Sequence, residues 1–172
     1  MFSLCIPSSS LGSLLLIGTE KGLCGMSFDP IRSEEPEPNE ILPAYMDQAK
    51  EQLLEYLLGR RTGFEIPLDC EGTPFQLRVW RALRQVPFGH TVSYQDIARE
   101  IGNPKACRAV GGANNKNPLP IIIPCHRVIG RDGRLVGYGS GMWRKKWLLQ
   151  LEGRPVHHGR VHSLSAHVGR KS

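Results

Sequence analysis

The chain has 172 residues, enough for one domain of ordinary size or two small ones, and 40% of them are hydrophobic, which excludes global disorder. Its net charge of +6 is unevenly divided: residues 1–72 carry 12 Asp/Glu against 5 Lys/Arg, whereas residues 73–172 carry 4 against 17 and all six histidines. A portion that basic attracts phosphate backbones, and the attraction weakens in salt, although charge kept for solubility gives the same count.

At the start, M-F-S-L-C-I-P places no Lys or Arg ahead of the apolar run Leu14–Ile17, which is too short for a signal core or a membrane span, so an intracellular protein is expected. Leu4–Pro7, Ser13–Thr19 and Leu23–Phe28 read as short strands joined by Ser- and Gly-containing turns. Residues 29–43 hold four prolines and five acidic residues and read as a surface loop. Tyr45–Leu58 is helical, because Met46, Ala49, Leu53, Tyr56 and Leu57 recur at spacings of three and four along one apolar face. Gly59 ends that helix. Phe64–Leu68 then resembles one more strand, completing a small strand-rich α/β unit over residues 1–72.

A fresh unit opens at Gly72-Thr73-Pro74, where threonine at the N-cap and proline at the first helical position form a strong helix start. Phe75, Val79, Leu83 and Val86 line one face of this helix, and Pro87-Phe88-Gly89 stops it. Ser93 caps S-Y-Q-D-I-A-R-E-I-G, with Ile97, Ala98 and Ile101 facing inward. After the turn Gly102-Asn103-Pro104 comes K-A-C-R-A-V-G-G-A-N-N, and helix, turn, helix is the pattern of a DNA-binding motif. Ala106, Cys107, Ala109, Gly111, Gly112 and Ala113 leave the second helix almost without bulk, and Arg108 is the long side chain in their midst. Tight packing on a neighbouring element explains such smallness; so does a thin helix pressed into a groove with Arg108 inserted. The residues alone leave both open.

The chemistry concentrates at I-I-I-P-C-H-R-V, residues 121–128, which reads as a buried strand ending in a thiol, an imidazole and a guanidinium. A buried structural role is the ordinary fate of a cysteine. Zinc needs three or four suitably spaced ligands; Cys125 and His126 are adjacent, and Cys5, Cys24 and Cys70 lie in the part that has no histidine. Five cysteines without a C-x-x-C pair also argue against a disulfide framework. The third reading is a nucleophile, since a nearby imidazole or cation favours the reactive thiolate. Neighbours on a strand point to opposite faces, so His126 would act through a water or after a bend. Of Asp96, Glu100, Asp132 and Glu152, the carboxylates beyond residue 72, Glu152 after W-L-L-Q-L is best placed to orient it. Around this rim lie the rigid turn Asn117-Pro118-Leu119-Pro120 and the loop G-Y-G-S-G, residues 137–141, whose free amides and stacking tyrosine suit a planar heterocycle. Beside a basic helix-turn-helix, the simplest such heterocycle is a nucleobase.

P-C-H-R-V at Pro124–Val128 closely resembles the active-site signature of the O6-alkylguanine-DNA alkyltransferases, also called methylated-DNA–protein-cysteine methyltransferases. The likeness extends through F-G-H-T-V-S-Y-Q (Phe88–Gln95), G-N-P-K-A-C-R-A-V-G-G-A (Gly102–Ala113), N-P-L-P-I-I-I-P-C-H-R-V-I-G (Asn117–Gly130) and K-K-W-L-L-Q-L-E-G (Lys145–Gly153). Residues 1–72 match more loosely, at S-L-G-S-L-L-L and G-T-E-K-G-L. With the element pattern, the resemblance gives an α+β protein: a strand-rich α/β domain over 1–72, a mostly helical DNA-binding and alkyl-transfer domain over 73–155, and a basic flexible tail over 156–172.

The resemblance implies direct reversal of DNA damage. A methyl or other alkyl group would pass irreversibly from O6 of guanine, and from O4 of thymine, to Cys125, once per molecule, making the chain a methylated-DNA–protein-cysteine S-methyltransferase. Cys125 would be the acceptor thiolate, His126 would deprotonate it through a water, and Glu152 would hold His126. Asn117 would support the active-site strand, and Tyr94 would donate a proton toward the departing guanine. Arg108 would fill the gap left by the flipped base, while Ala106, Ala109 and Gly112 let the helix enter the minor groove and Ser93 and Lys105 add DNA contacts. Pro120, Val136, Tyr138, Gly139 and Ser140 would border the flipped base. Val136 and Ser140 stand where mammalian members have glycine, which implies a tighter wall against bulky adducts. No cofactor or metal is implied. The expected partner is double-stranded DNA carrying O6-alkylguanine, with no membrane and a monomeric protein, in the cytoplasm of a prokaryote or the nucleus of a eukaryote. A sensor or regulator that binds alkylated DNA without transfer is the alternative from another class; members of the wider family that behave so lack the cysteine. A cysteine hydrolase would have no use for the helix-turn-helix.

Overall fold

The computed structural model describes residues 1–7, 9–30 and 41–161. Three strands, β1 (Phe2–Ile6), β2 (Leu14–Gly18) and β3 (Leu23–Phe28), form an antiparallel sheet in chain order, with Phe2 opposite Gly18 and Leu14 opposite Phe28. Helix α1 (Ala44–Leu57) packs against it and buries Met46, Ala49, Leu53, Tyr56 and Leu57 in the core, the residues that its spacing selects. The expected strand at Phe64–Leu68 is not formed; a single bridge joins Leu68 to Leu23. Pro67 lacks the donor a ladder needs, and Glu65 spends both backbone groups on the side-chain amide of Gln52. Gly22 is required where this segment approaches, since a Cβ there would lie 2.7 Å from the Pro67 carbonyl.

Helix α2 (Pro74–Arg84) begins with the expected cap, elaborated into a reciprocal capping box between Thr73 and Gln76. Helix α3 (Tyr94–Glu100) carries a second box between Ser93 and Asp96, and α4 (Cys107–Asn115) follows across the turn. The indole of Trp80 on α2 donates to the Ala113 carbonyl at 2.9 Å and fixes α4 from behind. Strand β4 (Val92–Ser93) runs parallel to β5 (Val128–Ile129), pairing Val92 with Val128. That short pairing places the start of α3 beside the chain that leaves Cys125. Helix α5 (Met142–Leu151) closes the site. One hydrophobic core runs from Ile6, Leu14 and Met46 through Val79 and Ile97 to Leu119, Ile121 and Leu148, so the two parts of the chain share an interior.

Two expectations need correction here. Residues 121–124 are not a strand. Ile121 has φ of 74°, and Pro124, at φ −79° and ψ 64°, centres an inverse γ-turn closed by Cys125 N–H to the Ile123 carbonyl at 2.7 Å. Cys125–Arg127 then make a single 3-10 turn. Apolar runs mark burial, and Pro120 and Pro124 remove the donors that would make this burial a sheet. Residues 156–161, expected to belong to a flexible tail, are ordered: β6 (Val156–His157) and β7 (Arg160–Val161) form a hairpin whose Val156 and Val161 pack with Ile129 and Leu149. His158 and Gly159 both take positive φ, as a tight hairpin turn needs. Residues 162–172 of the expected tail, and residues 31–40 of the expected surface loop, lie outside the described residues.

Arg144 joins the two parts. It donates to the carbonyls of Leu11 (2.9 Å) and Ser140 (2.8 Å), pairs with the Asp29 carboxylate, and lies between the rings of Phe28 and Trp143. Asp29 is 60% exposed, so the ion pair is worth little and the two carbonyls carry the cost of losing the guanidinium. Replacing Arg144 with Met is expected to lower stability by about 2 kcal/mol, read as a reduced urea midpoint at unchanged slope.

Candidate active site

Cys125 is 4% exposed and sits on a turn held from two sides. The Asn117 side chain donates to the Ile123 carbonyl at 2.7 Å and accepts from Leu119 N–H at 3.1 Å, clamping the γ-turn that aims the thiol. Asn117 thus supports a turn rather than a strand. Because residues 125–127 coil, His126 and Arg127 do not alternate across a sheet; both turn inward to one carboxylate. His126 Nε2 lies 2.8 Å from Glu152 Oε1. Arg127 reaches Oε1 at 2.8 Å through Nη2 and Oε2 at 3.0 Å through Nε. Gly89 N–H donates to Oε2 at 3.0 Å, and the Tyr56 hydroxyl donates to Oε1.

Glu152 occupies the C-cap of α5, an electrostatically poor place for an anion. Burial would raise its pKa, but the hydrogen bonds and charges of His126 and Arg127 overcome this and hold it down at about 2. Burial lowers the pKa of His126 despite Glu152, so the imidazole is neutral at rest. Its Nδ1 has no hydrogen-bond partner among the described residues. A neutral ring tied at Nε2 and bare at Nδ1 is a ready base. The thiol needs one. Burial pushes the Cys125 pKa up, while Asn117, Lys145, its own backbone hydrogen bond and Tyr138 pull only partly the other way.

Lys145 is a site residue that the sequence alone does not single out. Its ammonium is fully buried and donates to the carbonyls of Val128 (2.5 Å), Val136 (2.8 Å) and Gly137 (3.4 Å). Desolvation brings its pKa down to about 8, and the field of Cys125 opposes that fall. Arg127 balances Glu152, so with a neutral thiol the buried set has one cation in excess, and ionising Cys125 makes it neutral. Arg127 and Tyr56 also went unassigned. Lys145 stands seven residues before Glu152, two turns away on the same helical face, which was the available signal. For Tyr56 the signal was a phenol in an apolar stripe, since a buried tyrosine hydroxyl needs a partner.

The remaining residues divide by exposure. Tyr94 is half-buried, donates to the Val136 carbonyl at 3.1 Å, and keeps its proton because burial and then Cys125 raise its pKa. Tyr138 is 9% exposed, and its hydroxyl stands near the thiol, whose pKa it lowers. Pro120 is buried, Gly139 is exposed and passes close to Asn115, and the Ser140 carbonyl is tied to Arg144. Val136 is 40% exposed and joins Met142 and Trp143 among the exposed large apolar side chains, so its side chain is open to solvent. On α4, Arg108, Ala109 and Gly112 are exposed and Ala106 is half-buried; a Cβ at Gly112 would meet nothing within 4 Å. The smallness of this face is therefore not explained by packing within the protein. Lys105 is exposed in the turn before α4, and Ser93 is engaged by Asp96. Among the described residues no group of three or more His, Cys, Asp or Glu is placed to hold a metal ion.

If Lys145 supplies the charge that favours the thiolate, Lys145→Gln should raise the pH at which Cys125 becomes half reactive toward iodoacetamide by about one unit. An unchanged pH profile would show that the ammonium only holds the loop.

Residues 74–154 match the 6-O-methylguanine DNA methyltransferase DNA binding domain, and residues 6–70 match the ribonuclease-like domain of the same name. A methylated-DNA–protein-cysteine methyltransferase from Methanosarcina acetivorans is 46% identical over 150 residues, spanning 86% of this chain and 96% of the relative. One from Mycolicibacterium paratuberculosis is also 46% identical, over 85% of this chain and 89% of its own. Among solved structures, Mycobacterium tuberculosis OGT in complex with DNA superposes with a TM-score of 0.79 at 43% identity, covering 89% of this chain and 93% of that one. By both of its domains and by these relatives, the chain belongs to the 6-O-methylguanine DNA methyltransferase family.

Proposed function

We propose that the protein repairs double-stranded DNA by taking the alkyl group from O6 of guanine, or O4 of thymine, onto Cys125, acting as a monomer inside the cell and once per molecule. The observation that carries this is the buried sequence Cys125, His126, Glu152, with a neutral imidazole beside a thiol that burial keeps protonated. His126 takes the thiol proton at Nδ1 through a water, and Glu152 steadies the imidazolium. The thiolate then attacks the alkyl carbon, a C–S bond forms as the C–O bond breaks, and the electron pair leaves on the guanine oxygen. Tyr94 supplies the ring with a proton, and the proton held by His126 restores the balance. The sulfur ends as a thioether, which offers no leaving group of comparable ease, so the site is spent. A protein that only bound damage would have no use for a base paired to a thiol.

DNA would be held by the exposed face of α4. Ala109 and Gly112 let the helix sit deep in the minor groove, Arg108 enters the stack as the damaged base rotates out, and Lys105 meets phosphate. Tyr138, Pro120, Gly139 and Ser140 would surround the extruded guanine, with Val136 at the mouth.

Duplex carrying labelled O6-methylguanine should leave label on the peptide containing Cys125, up to one group per molecule and no further, and Cys125→Ser should bind the duplex but acquire none. Turnover past that limit, or label on the serine variant, would sink the reading. Gly112→Ala separates DNA seating from folding. The added methyl meets no protein atom, so the free protein should gain about 0.5 kcal/mol from helix propensity, seen in thermal unfolding. Duplex affinity should fall in the same variant, because that methyl would stand where the groove closes in.

A further inference from the structure

Tyr56 belongs to α1, in the part of the chain that precedes every residue of the proposed reaction, yet it ends inside the reaction's hydrogen-bond network. Its side chain is fully buried, set at 5.2 Å from the ring of Phe64 and edge-on at 5.9 Å to that of Phe88. Its hydroxyl donates to Glu152 Oε1, and its oxygen stands 3.4 Å from His126 Nε2. We infer that Tyr56 is a positioning residue for alkyl transfer, whose hydroxyl fixes the proton of His126 on Nε2 and so leaves Nδ1 as the base. The inference rests on the reading of His126 as the base for Cys125.

The protons around the carboxylate are of two kinds. Those from Arg127 and from the Gly89 amide are permanent, since neither group gives up a proton. The phenol and the imidazole carry the movable ones. Burial and the Glu152 charge raise the Tyr56 pKa well above its ordinary value, so the phenol keeps its hydrogen and must direct it somewhere. Directed at Oε1, it turns the phenol's lone pairs toward Nε2. That nitrogen then faces an acceptor on both sides, the carboxylate and the phenol oxygen, and a bare Nε2 would meet lone pairs alone. The proton stays there.

The same hydroxyl spreads part of the carboxylate charge. Four groups set the proton affinity of His126: Glu152 raises it, Arg127 and Lys145 lower it, and Tyr56 moderates Glu152 by donating to the oxygen that His126 uses. Without the hydroxyl, Glu152 would attract the imidazolium proton more strongly and His126 would become neutral only at higher pH.

The test compares full-length wild type with Tyr56→Phe, which keeps the ring and its aromatic contacts. Single-turnover transfer from an O6-methylguanine duplex should slow about tenfold at neutral pH, the worth of one hydrogen bond to a charged group. The acid limb of the rate profile should move to higher pH, duplex affinity should not change, and the 15N spectrum of His126 should lose its uniform Nε2–H signature. Leu53→Ala, one turn earlier on α1 and equally buried, controls for simple loosening of the helix. If Leu53→Ala shifts the pH profile and the His126 spectrum as Tyr56→Phe does, or if Tyr56→Phe leaves both unmoved, the positioning role is wrong. Glu152→Gln separates this failure from a deeper one. A slow Glu152→Gln beside a normal Tyr56→Phe overturns only the role of Tyr56, whereas normal transfer by Glu152→Gln overturns the base assignment itself.

Discussion

The carboxylate of Glu152 is the interaction on which the rest of this structure depends. A buried anion left unpaired costs several kcal/mol, and this one is met by four donors from three places in the chain: Tyr56 on α1, the amide of Gly89 after α2, and His126 and Arg127 on the turn that Cys125 opens. None of those segments can shift without leaving a charge or a dipole unanswered in the interior. The network therefore ties together α1, the loop after α2, the cysteine turn and the end of α5, and it does so in the protein alone. On the proposed function, nucleic acid would meet a site whose imidazole is already held, with little reorganisation left to perform.

The surface proposed to face DNA and the thiol are closely joined. Strand β4 brings the first residue of α3 against the chain just past Cys125, and Tyr94 then reaches the Val136 carbonyl, which Lys145 also holds. One peptide group thus receives a proton donor from the recognition side and the buried ammonium from the chemical side. The α4 face that would lie on DNA is bare of bulk, but its back is anchored by Trp80, so its thinness does not make it loose.

Much of this is legible in the amino-acid sequence. The caps at Thr73 and Ser93 and the inward stripe of α1 follow from local spacing and chemistry, and the pairing of Glu152 with His126 follows from the scarcity of carboxylates beyond residue 72. The failures share a physical cause. Ile121–Ile123 is as apolar as a central strand, yet a γ-turn at Pro124 and a left-handed Ile121 carry it, and hydrophobicity reports only that the segment is buried. Phe64–Leu68 has strand-like side chains, but its hydrogen bonds go to Gln52, a choice that depends on a distant helix. Residues 156–161 look like an extension of a basic tail until Ile129 and Leu149 offer a surface for two valines. Tyr56 and Lys145 lie at positions whose periodicity says only "inside". What they bond to is set by elements far away in the sequence, and no local pattern carries that.

The uneven charge noted at the outset now has a direction. Arg78, Arg81, Arg84, Arg99, Lys105, Arg108 and Lys116 all stand exposed on α2, on the helix-turn-helix or just beyond it, while residues 1–72 bear a surplus of acidic side chains. Such a molecule is an electric dipole as well as a cation. Close to a polyanion it experiences a torque in addition to a pull, which on the proposed function would turn the α4 face toward the duplex before any atom touches. Within about 10 Å, the screening length at moderate salt, rotational search is thereby narrowed to the arc that presents the thin helix to the groove.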